Sequence, residues 1–388
     1  VKVAIIHEWL LVEAGAEKVL SEILKLFPEA DLFCLIDFLP SAKRNFIGNR
    51  VTKTSFIQKL PFAKDKYRLY LPLMPLAVEQ FDLSAYDLVI SCNYAVAKGV
   101  ITGPNQLHIS YIHSPMRYAW DLQFQYLRQA HLEKGVKSWL TRYLLHKMRI
   151  WDTRTAHGVD HYLANSEFIA RRVKKVYGRT ATVIYPPVDS DFFCPDPALP
   201  KQDFYLTVSR LVPYKHIDVL VRAFALTPAR QLIIIGSGPE AKRLQALASN
   251  NVTLLGFQDN ATVRDYLRQT RAFLFAAEED FGIVPLEAQA CGTPVIAYGR
   301  GGVLETVISP EHHPNQPTTG LFFPTQQPAA VVAALDRFED DSESFSAQAC
   351  RANALRFSPA IFRHQLQEFV NYKYEKFTGD LKNFAEKL

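Results

Sequence analysis

The stretch Ala272-Phe273-Leu274-Phe275, followed by Glu279-Asp280-Phe281-Gly282-Ile283-Val284-Pro285-Leu286-Glu287, reads as a buried strand, a glycine turn and the start of a helix. A short, wholly apolar run closed by polar and glycine positions is the pattern of a strand covered on both faces. The helix runs on to Ala290 and a further strand, Pro294 to Ala297, follows. Strand, helix and strand in this order form a βαβ unit, whose right-handed crossover lays both strands parallel in one sheet.

Working outward, the same alternation fills the preceding residues. Strands are expected at Phe204 to Val208, Gln231 to Ile235 and Val252 to Leu255, with helices from about Lys215 to Ala225, Glu240 to Ala248 and Ala261 to Arg268. Further upstream, Val1-Lys2-Val3-Ala4-Ile5-Ile6 reads as a first strand, and Val19, Leu20, Ile23 and Leu24 have the spacing of an amphipathic helix after Gly15. Apolar runs recur at Asp31 to Ile36, Asp87 to Cys92, Leu107 to Ile112 and His161 to Ala164. Pro186 and Pro187 interrupt the pattern, and a polar, proline-containing stretch reaches Asp203. The expected class is therefore α/β, with two doubly wound Rossmann-like domains at residues 1–187 and 204–357 and a linker at 188–203. Helices at 358–388 are free to return to the first domain. Open α/β sheets bind ligands at the carboxyl ends of their strands, so the active site is expected in a cleft where two such edges face each other.

Composition narrows the class. With 388 residues, 48% of them apolar, 21% charged and only 17 glycines, the chain is neither disordered nor fibrous. No apolar run reaches the roughly 18 to 20 residues of a membrane-spanning helix, and the stretch from Leu71 to Val78 is broken by Pro72 and Pro75. The first residues read as a core strand rather than a secretion signal, so the expected location is the cytoplasm, with the inner face of the membrane as an alternative. Five cysteines without a C-x-x-C pair suggest small buried side chains in a reducing compartment. Residues 1–188 hold 25 Lys and Arg against 16 Asp and Glu, so the overall charge of +5 comes from the first half. That modest charge, with no nucleic-acid reader motif, disfavours nucleic-acid binding.

Two constellations carry chemistry. The turn at Phe281, Gly282 and Ile283 places backbone N–H groups at a positive helix end, suited to hydroxyls and phosphate oxygens, and Glu287 can accept hydrogen bonds from a ribose diol. Glu278 and Asp280 read as solvated acids. Arg210 and Lys215 lie five apart between a strand and a helix entrance, where a cation is unfavourable unless solvent or an anion meets it; a diphosphate would be that anion.

The Arg210/Lys215 pair, the Glu279-x7-Glu287 pair and Gly15-Ala16-Glu17 after the first strand together resemble the retaining glycosyltransferases of family 4, which have the GT-B fold. His113-Ser114-Pro115, Asn165-Ser166, Pro186-Pro187-Val188-Asp189, Gly236-Ser237-Gly238 and Leu255-Gly256-Phe257 match in the family's order over about residues 1 to 310. The resemblance implies that Arg210 and Lys215 hold the donor diphosphate and Glu287 the ribose. It assigns the transferred sugar's hydroxyls to Glu279 with the Phe281 and Gly282 amides. It also implies that Gly256 and Phe257 lie beside the nucleobase, that Gly236 contributes to the donor site, that Gly15 and Ala16 approach the phosphates, and that His113 faces the donor sugar. One departure is Ala14, which stands where the family's first glycine is usual.

Breaking a glycosyl phosphate bond builds negative charge on the diphosphate and positive charge on the ring carbon, so catalysis needs fixed cations at one and carboxylate or carbonyl dipoles at the other. No carboxylate is identifiable on the far side of the sugar, so attack from the leaving-group face is expected, with no metal and no cofactor. Asp189-Ser190-Asp191 is read as turn or capping chemistry, His312-His313 as a loop without a third metal ligand, and Glu339-Asp340-Asp341 as a solvated loop.

His7, beside Glu8 and Trp9, is either an acceptor contact or a packed turn histidine. Arg117 and Tyr118 are either acceptor-side groups or part of a core helix. Residues Lys134 to Arg154 alternate basic and aromatic side chains, which suits anionic lipid headgroups or a lipid-diphosphate acceptor, or equally a half-buried domain helix. The expected reaction moves a hexose from a nucleotide diphosphate sugar, UDP-glucose first and GDP-mannose next, to a glycan or lipid-linked hydroxyl in polysaccharide biosynthesis. The alternatives are a sugar-nucleotide epimerase and a non-catalytic nucleotide-sugar-binding subunit.

Overall fold

In the computed structural model, residues 1–386 are described, and they form two α/β units: Val1–Pro187 together with the chain from Ala360 onward, and Val188–Pro359. The first unit is built on a seven-stranded parallel sheet, β1 (Val3–Leu10), β2 (Asp31–Asp37), β3 (Thr52–Thr54), β4 (Leu88–Asn93), β5 (Leu107–Ile112), β6 (His161–Ala164) and β7 (Ala181–Val183). Its order is β3-β2-β1-β4-β5-β6-β7, so the winding direction reverses between β1 and β4. Ile5 pairs with Leu32 and Ile90 in register, and His7 with Cys34 and Cys92.

Alternate side chains of β1 enter opposite faces of the sheet. Ile5 joins Leu20 and Ile23 of the helix Gly15–Leu26, while Ala4 and Ile6 pack with Phe33, Met74 and Val78. The last helix, Pro359–Ala385, returns to this unit: Phe362, Leu366 and Val370, spaced by four, enter the core beside Leu20 and Tyr111, and Arg363 pairs with Glu22. On the other face, Lys98 is wholly buried, with its Nζ 2.8 Å from Asp152 Oδ1, and burial lowers its pKa against the pull of that carboxylate. Asp152 also accepts from Trp120 Nε1 at 2.7 Å, which ties the helix Val136–Thr155 to the segment that follows β5.

The second unit has six parallel strands, β8 (Tyr205–Val208), β9 (Leu232–Ile235), β10 (Val252–Gly256), β11 (Phe273–Phe275), β12 (Val295–Tyr298) and β13 (Gly320–Phe323), in the order β10-β9-β8-β11-β12-β13. Here the winding reverses between β8 and β11. Residues 188–203, expected as a linker, belong to this unit: Val188 N donates to Phe357 O at 2.8 Å, Phe193 is buried, and Arg351 Nη1 donates to the carbonyls of Ser190 and Phe193. Within it Asp189 closes a turn, accepting from Phe192 N at 3.1 Å. Glu339 is no solvated loop residue either. It ends the helix Pro328–Asp340, where Tyr205 and Arg230 both donate to its carboxylate and hold it below the usual carboxylate range against the opposing effect of burial. Among the described residues no helix is long and apolar enough to cross a membrane.

Because Leu366 is fully buried, Leu366→Ala is expected to lower the stability of the first unit by about 2–5 kcal/mol, whereas Ile361→Ala, at a more exposed position of the same helix, changes it little. Denaturant unfolding of the two variants checks this.

Candidate functional site

In the second unit the loops after β8 and β11 leave adjacent strands at the point where the winding reverses, the place where open α/β sheets bind ligands. The first loop is held by its neighbour. Ser209 N donates to Ile235 O at 3.0 Å, Leu211 N to Ser237 O at 2.9 Å, and Glu240 N to Leu211 O at 3.1 Å. Gly236, at φ +140°, and Gly238 permit this crossing, because a Cβ would come within 1.8 Å of Ser209 O at the first and 2.2 Å of Leu211 O at the second. Backbone packing alone thus requires glycine at 236. Past a single 3-10 turn at Pro213–Lys215, His216 takes a left-handed φ of +51° and the helix Ile217–Ala225 begins. Arg210 is exposed on this loop, and Lys215 is half-buried.

The second loop is buttressed in the same way from β12. Glu279 forms an isolated parallel bridge with Gly301, and Gly302 N donates to Glu279 O at 2.8 Å. A Cβ on Gly301 would lie 2.4 Å from Glu279 O, and one on Gly302 would lie 2.3 Å from Asp280 O. These two glycines escaped the sequence reading; their only signal was the pair itself after an apolar strand. The outcome of both arrangements is a direct ion pair between Lys215 and Glu279, each about one-sixth to one-fifth exposed. Gly282, at φ +88°, opens the helix Ile283–Ala290, and Phe281 is buried with its ring 5.8 Å from Phe357. Glu287 lies in the second turn of that helix and is only 6% exposed; Asp280 is buried as well, unlike the solvated acid expected, whereas Glu278 is exposed. At the end of β10, Gly256 has a φ of +70° and the Phe257 ring is 77% exposed. One end of this sheet therefore carries a guanidinium, an ion pair, a buried carboxylate, a helix N-terminus and a free aromatic face.

The first unit assembles a second polar group around its own reversal point. Glu8, fully buried at the end of β1, receives the amides of Tyr94, Ala95, Val96 and Ala97 on its Oε1 at 2.7 to 3.1 Å. Burial raises its pKa, and these amides oppose the rise. His7 is also fully buried; its Nε2 lies 3.2 Å from Glu17 Oε1, and Glu17 Oε2 accepts Ala14 N at 3.0 Å. Ala14 is extended, at φ −133°, so the position where the family has glycine tolerates a side chain, and Gly15 and Ala16 start the helix. Tyr94 packs its ring 5.8 Å from His7, 4.9 Å from Trp9 and 6.0 Å from His113.

His113 follows β5, its N–H bound to Asn93 O and its carbonyl to Asn165 Nδ2. Burial, with His7 as a smaller cause, holds its pKa down to about 3, so the ring is neutral at physiological pH. Arg117 Nε and Arg172 Nη1 both donate to Ser114 Oγ, at 3.3 and 3.1 Å, and Arg172 also pairs with Asp121. Tyr118 is half-buried and packs against the apolar cluster of Met116 and Ala119, and burial pushes its phenol well above its ordinary value. Sequence reading had no signal for Tyr94, Asn93 or Arg172, which meet the site only through the sheet.

Comparison with known proteins agrees with this architecture. The family model described as "Glycosyltransferase Family 4" matches residues 15–192 and that described as "Glycosyl transferases group 1" matches residues 192–356. A GDP-mannose-dependent monoacylated alpha-(1-6)-phosphatidylinositol monomannoside mannosyltransferase of Corynebacterium glutamicum is 36% identical over 185 residues, covering 40% of this chain and 46% of that protein. A D-inositol 3-phosphate glycosyltransferase of Mycobacteroides abscessus is 36% identical over 170 residues, covering 37% and 36%. The matched segments thus span less than half the length of these curated relatives. The crystal structure of Anabaena Alr3699/HepE in complex with UDP superposes with a TM-score of 0.71 at 19% identity, over 96% of this chain and all of that one. With both family models matched in order and the two sheets wound alike, the chain belongs to glycosyltransferase family 4 and has the GT-B fold.

Proposed function

We propose that this chain transfers a hexose from a nucleotide diphosphate sugar to a hydroxyl of a glycan or lipid-linked acceptor, with retention of configuration and without a metal. The observation that carries the reading is the Lys215–Glu279 ion pair at the reversal point of the second sheet. A diphosphate entering there competes with Glu279 for Lys215, and Arg210 on the same loop adds a second positive charge for the leaving group. Released from its partner, Glu279 is positioned to accept hydroxyls of the transferred sugar, while Glu287, buried one helical turn beyond the glycine turn, suits the ribose diol. Phe257, exposed at the end of β10, offers its face to the base.

In this mechanism the leaving phosphate oxygen takes the proton of the attacking hydroxyl on the same face, while fixed cations stabilise the charge that builds on the diphosphate. The neutral ring of His113 serves as a hydrogen-bonding group and not as a cation. GDP-mannose and UDP-glucose are the donors to test first: several curated relatives carry GDP-mannose in their names, and a structural neighbour was solved with UDP-glucose.

The helix Val136–Thr155 supports a location at an anionic membrane surface as part of this proposal. It buries only Ser138, Leu145, Met148 and Asp152, and it exposes Val136, Trp139, Leu140, Tyr143 and Ile150 among Lys137, Lys147 and Arg154. An exposed aromatic stripe flanked by cations matches the chemistry of an anionic headgroup layer.

Two outcomes are expected. Incubated with the donor it accepts and no acceptor, the protein slowly releases free sugar and nucleoside diphosphate, and with an acceptor it forms a product whose new bond keeps the donor's anomeric configuration, both read by NMR; an epimeric nucleotide sugar or an inverted product contradicts the mechanism. Sedimentation with phosphatidylglycerol vesicles at low salt pulls down the protein and loses it on Trp139→Ser with Lys137→Glu; no binding by the wild type removes the membrane proposal.

A further inference from the structure

We propose that Glu17 is a positioning residue that fixes His7 as the tautomer with a bare Nδ1, and that this nitrogen accepts a hydrogen bond from a hydroxyl of a neutral polyol acceptor. The assignment rests on the glycosyl transfer proposed above and names the chemistry by which its acceptor is held.

The hydrogen-bond inventory around Glu17 sets the tautomer. Its Oε2 takes the Ala14 N–H at 3.0 Å and its Oε1 lies 3.2 Å from His7 Nε2, with both side chains all but sealed from solvent. An ionised carboxylate only accepts, so the hydrogen of the imidazole sits on Nε2 and the lone pair on Nδ1. That Nδ1 is buried and has no hydrogen-bond partner among the described residues. A buried acceptor left unmet is unfavourable, so such an atom at the reversal point of a sheet points to a donor that arrives with a ligand.

His113 Nε2 is a second buried nitrogen without a hydrogen-bond partner among the described residues, and both imidazoles pack edge-on against the Tyr94 ring, 5.8 and 6.0 Å from its centre. Glu8 holds that ring in place through the Tyr94 amide. A bare lone pair backed by a carboxylate repels anions and welcomes O–H donors, which selects a sugar or cyclitol hydroxyl over a phosphate. Glu17 also closes the turn from which Gly15 and Ala16 start their helix, so one side chain sets both the histidine and the turn.

The test uses the whole chain labelled with 15N-histidine, the His7 signals being assigned by their loss in His7→Asn. The wild type is expected to show a hydrogen on Nε2 and a bare Nδ1, and the Nδ1 signal should move on addition of methyl α-D-mannopyranoside, methyl α-D-glucopyranoside or myo-inositol. In Glu17→Gln the amide oxygen keeps Ala14 N–H while its NH2 turns to His7 Nε2, driving the hydrogen to Nδ1. Probe binding should then weaken at least about tenfold, with UDP or GDP affinity unchanged. A wild-type hydrogen on Nδ1, no wild-type response to any of the three probes, or equal probe binding by Glu17→Gln overturns the proposal. The wild-type spectrum decides the tautomer even if the variant does not fold. Failure of both nucleotides to bind the wild type would instead sink the glycosyl-transfer reading, so the two failures are distinct.

Discussion

The ion pair between Lys215 and Glu279 is the constraint on which the second unit's functional end is organised. Isolated, partly exposed pairs contribute roughly 0–1 kcal/mol, too little to justify the backbone arrangement around this one. Four glycines, Gly236, Gly238, Gly301 and Gly302, remove side chains that would collide with carbonyls of the two loops bearing the charges. The glycines give up packing and backbone entropy to bring a cation and an anion side by side where the winding of the sheet reverses. In the reaction proposed above, this is a charge pair kept ready for exchange, with the diphosphate replacing the carboxylate on Lys215 and the carboxylate released to the sugar.

The first unit solves the same geometric problem with different chemistry. At its reversal point β1 and β4 are tied by the Glu8 carboxylate, which gathers four consecutive amides of the loop after β4. A carboxylate buried within a cradle of N–H groups makes a rigid joint, because each amide would otherwise be an unmet donor. Tyr94, His7 and His113 inherit their positions from this joint. Both ends are thus preorganised by backbone hydrogen bonding, one around a carboxylate side chain and one around glycine contacts.

Much of the fold is legible in the sequence because parallel strands covered on both faces are rich in apolar residues: β9 and β11 are wholly apolar, and β1, β4, β5 and β8 are mostly so. The three-residue edge strands β3 and β7 lack this richness and passed unseen, as did the short apolar strand β13 after a long polar loop. Of the site, charged pairs at loop ends were legible as motifs. Gly236 was legible as a glycine, but its reason, the Ser209 carbonyl, lies in another loop. Asp280 looked solvated, yet it lies in a buried turn backed by Gly302, and Glu339 looked like a free acid because Tyr205 and Arg230 are over a hundred residues away in the chain. Contacts made by folding over such separations leave no local pattern.

The exchange of partners by Lys215 is tested most directly by calorimetric titration of UDP and GDP into the wild type, Lys215→Met and Glu279→Gln. For whichever nucleotide the wild type binds, the account predicts at least a tenfold loss of affinity, about 1.4 kcal/mol, in Lys215→Met, and affinity equal to or tighter than wild type in Glu279→Gln, where the lysine no longer has a charged competitor. Undiminished binding by Lys215→Met, or a comparable loss in Glu279→Gln, would contradict it.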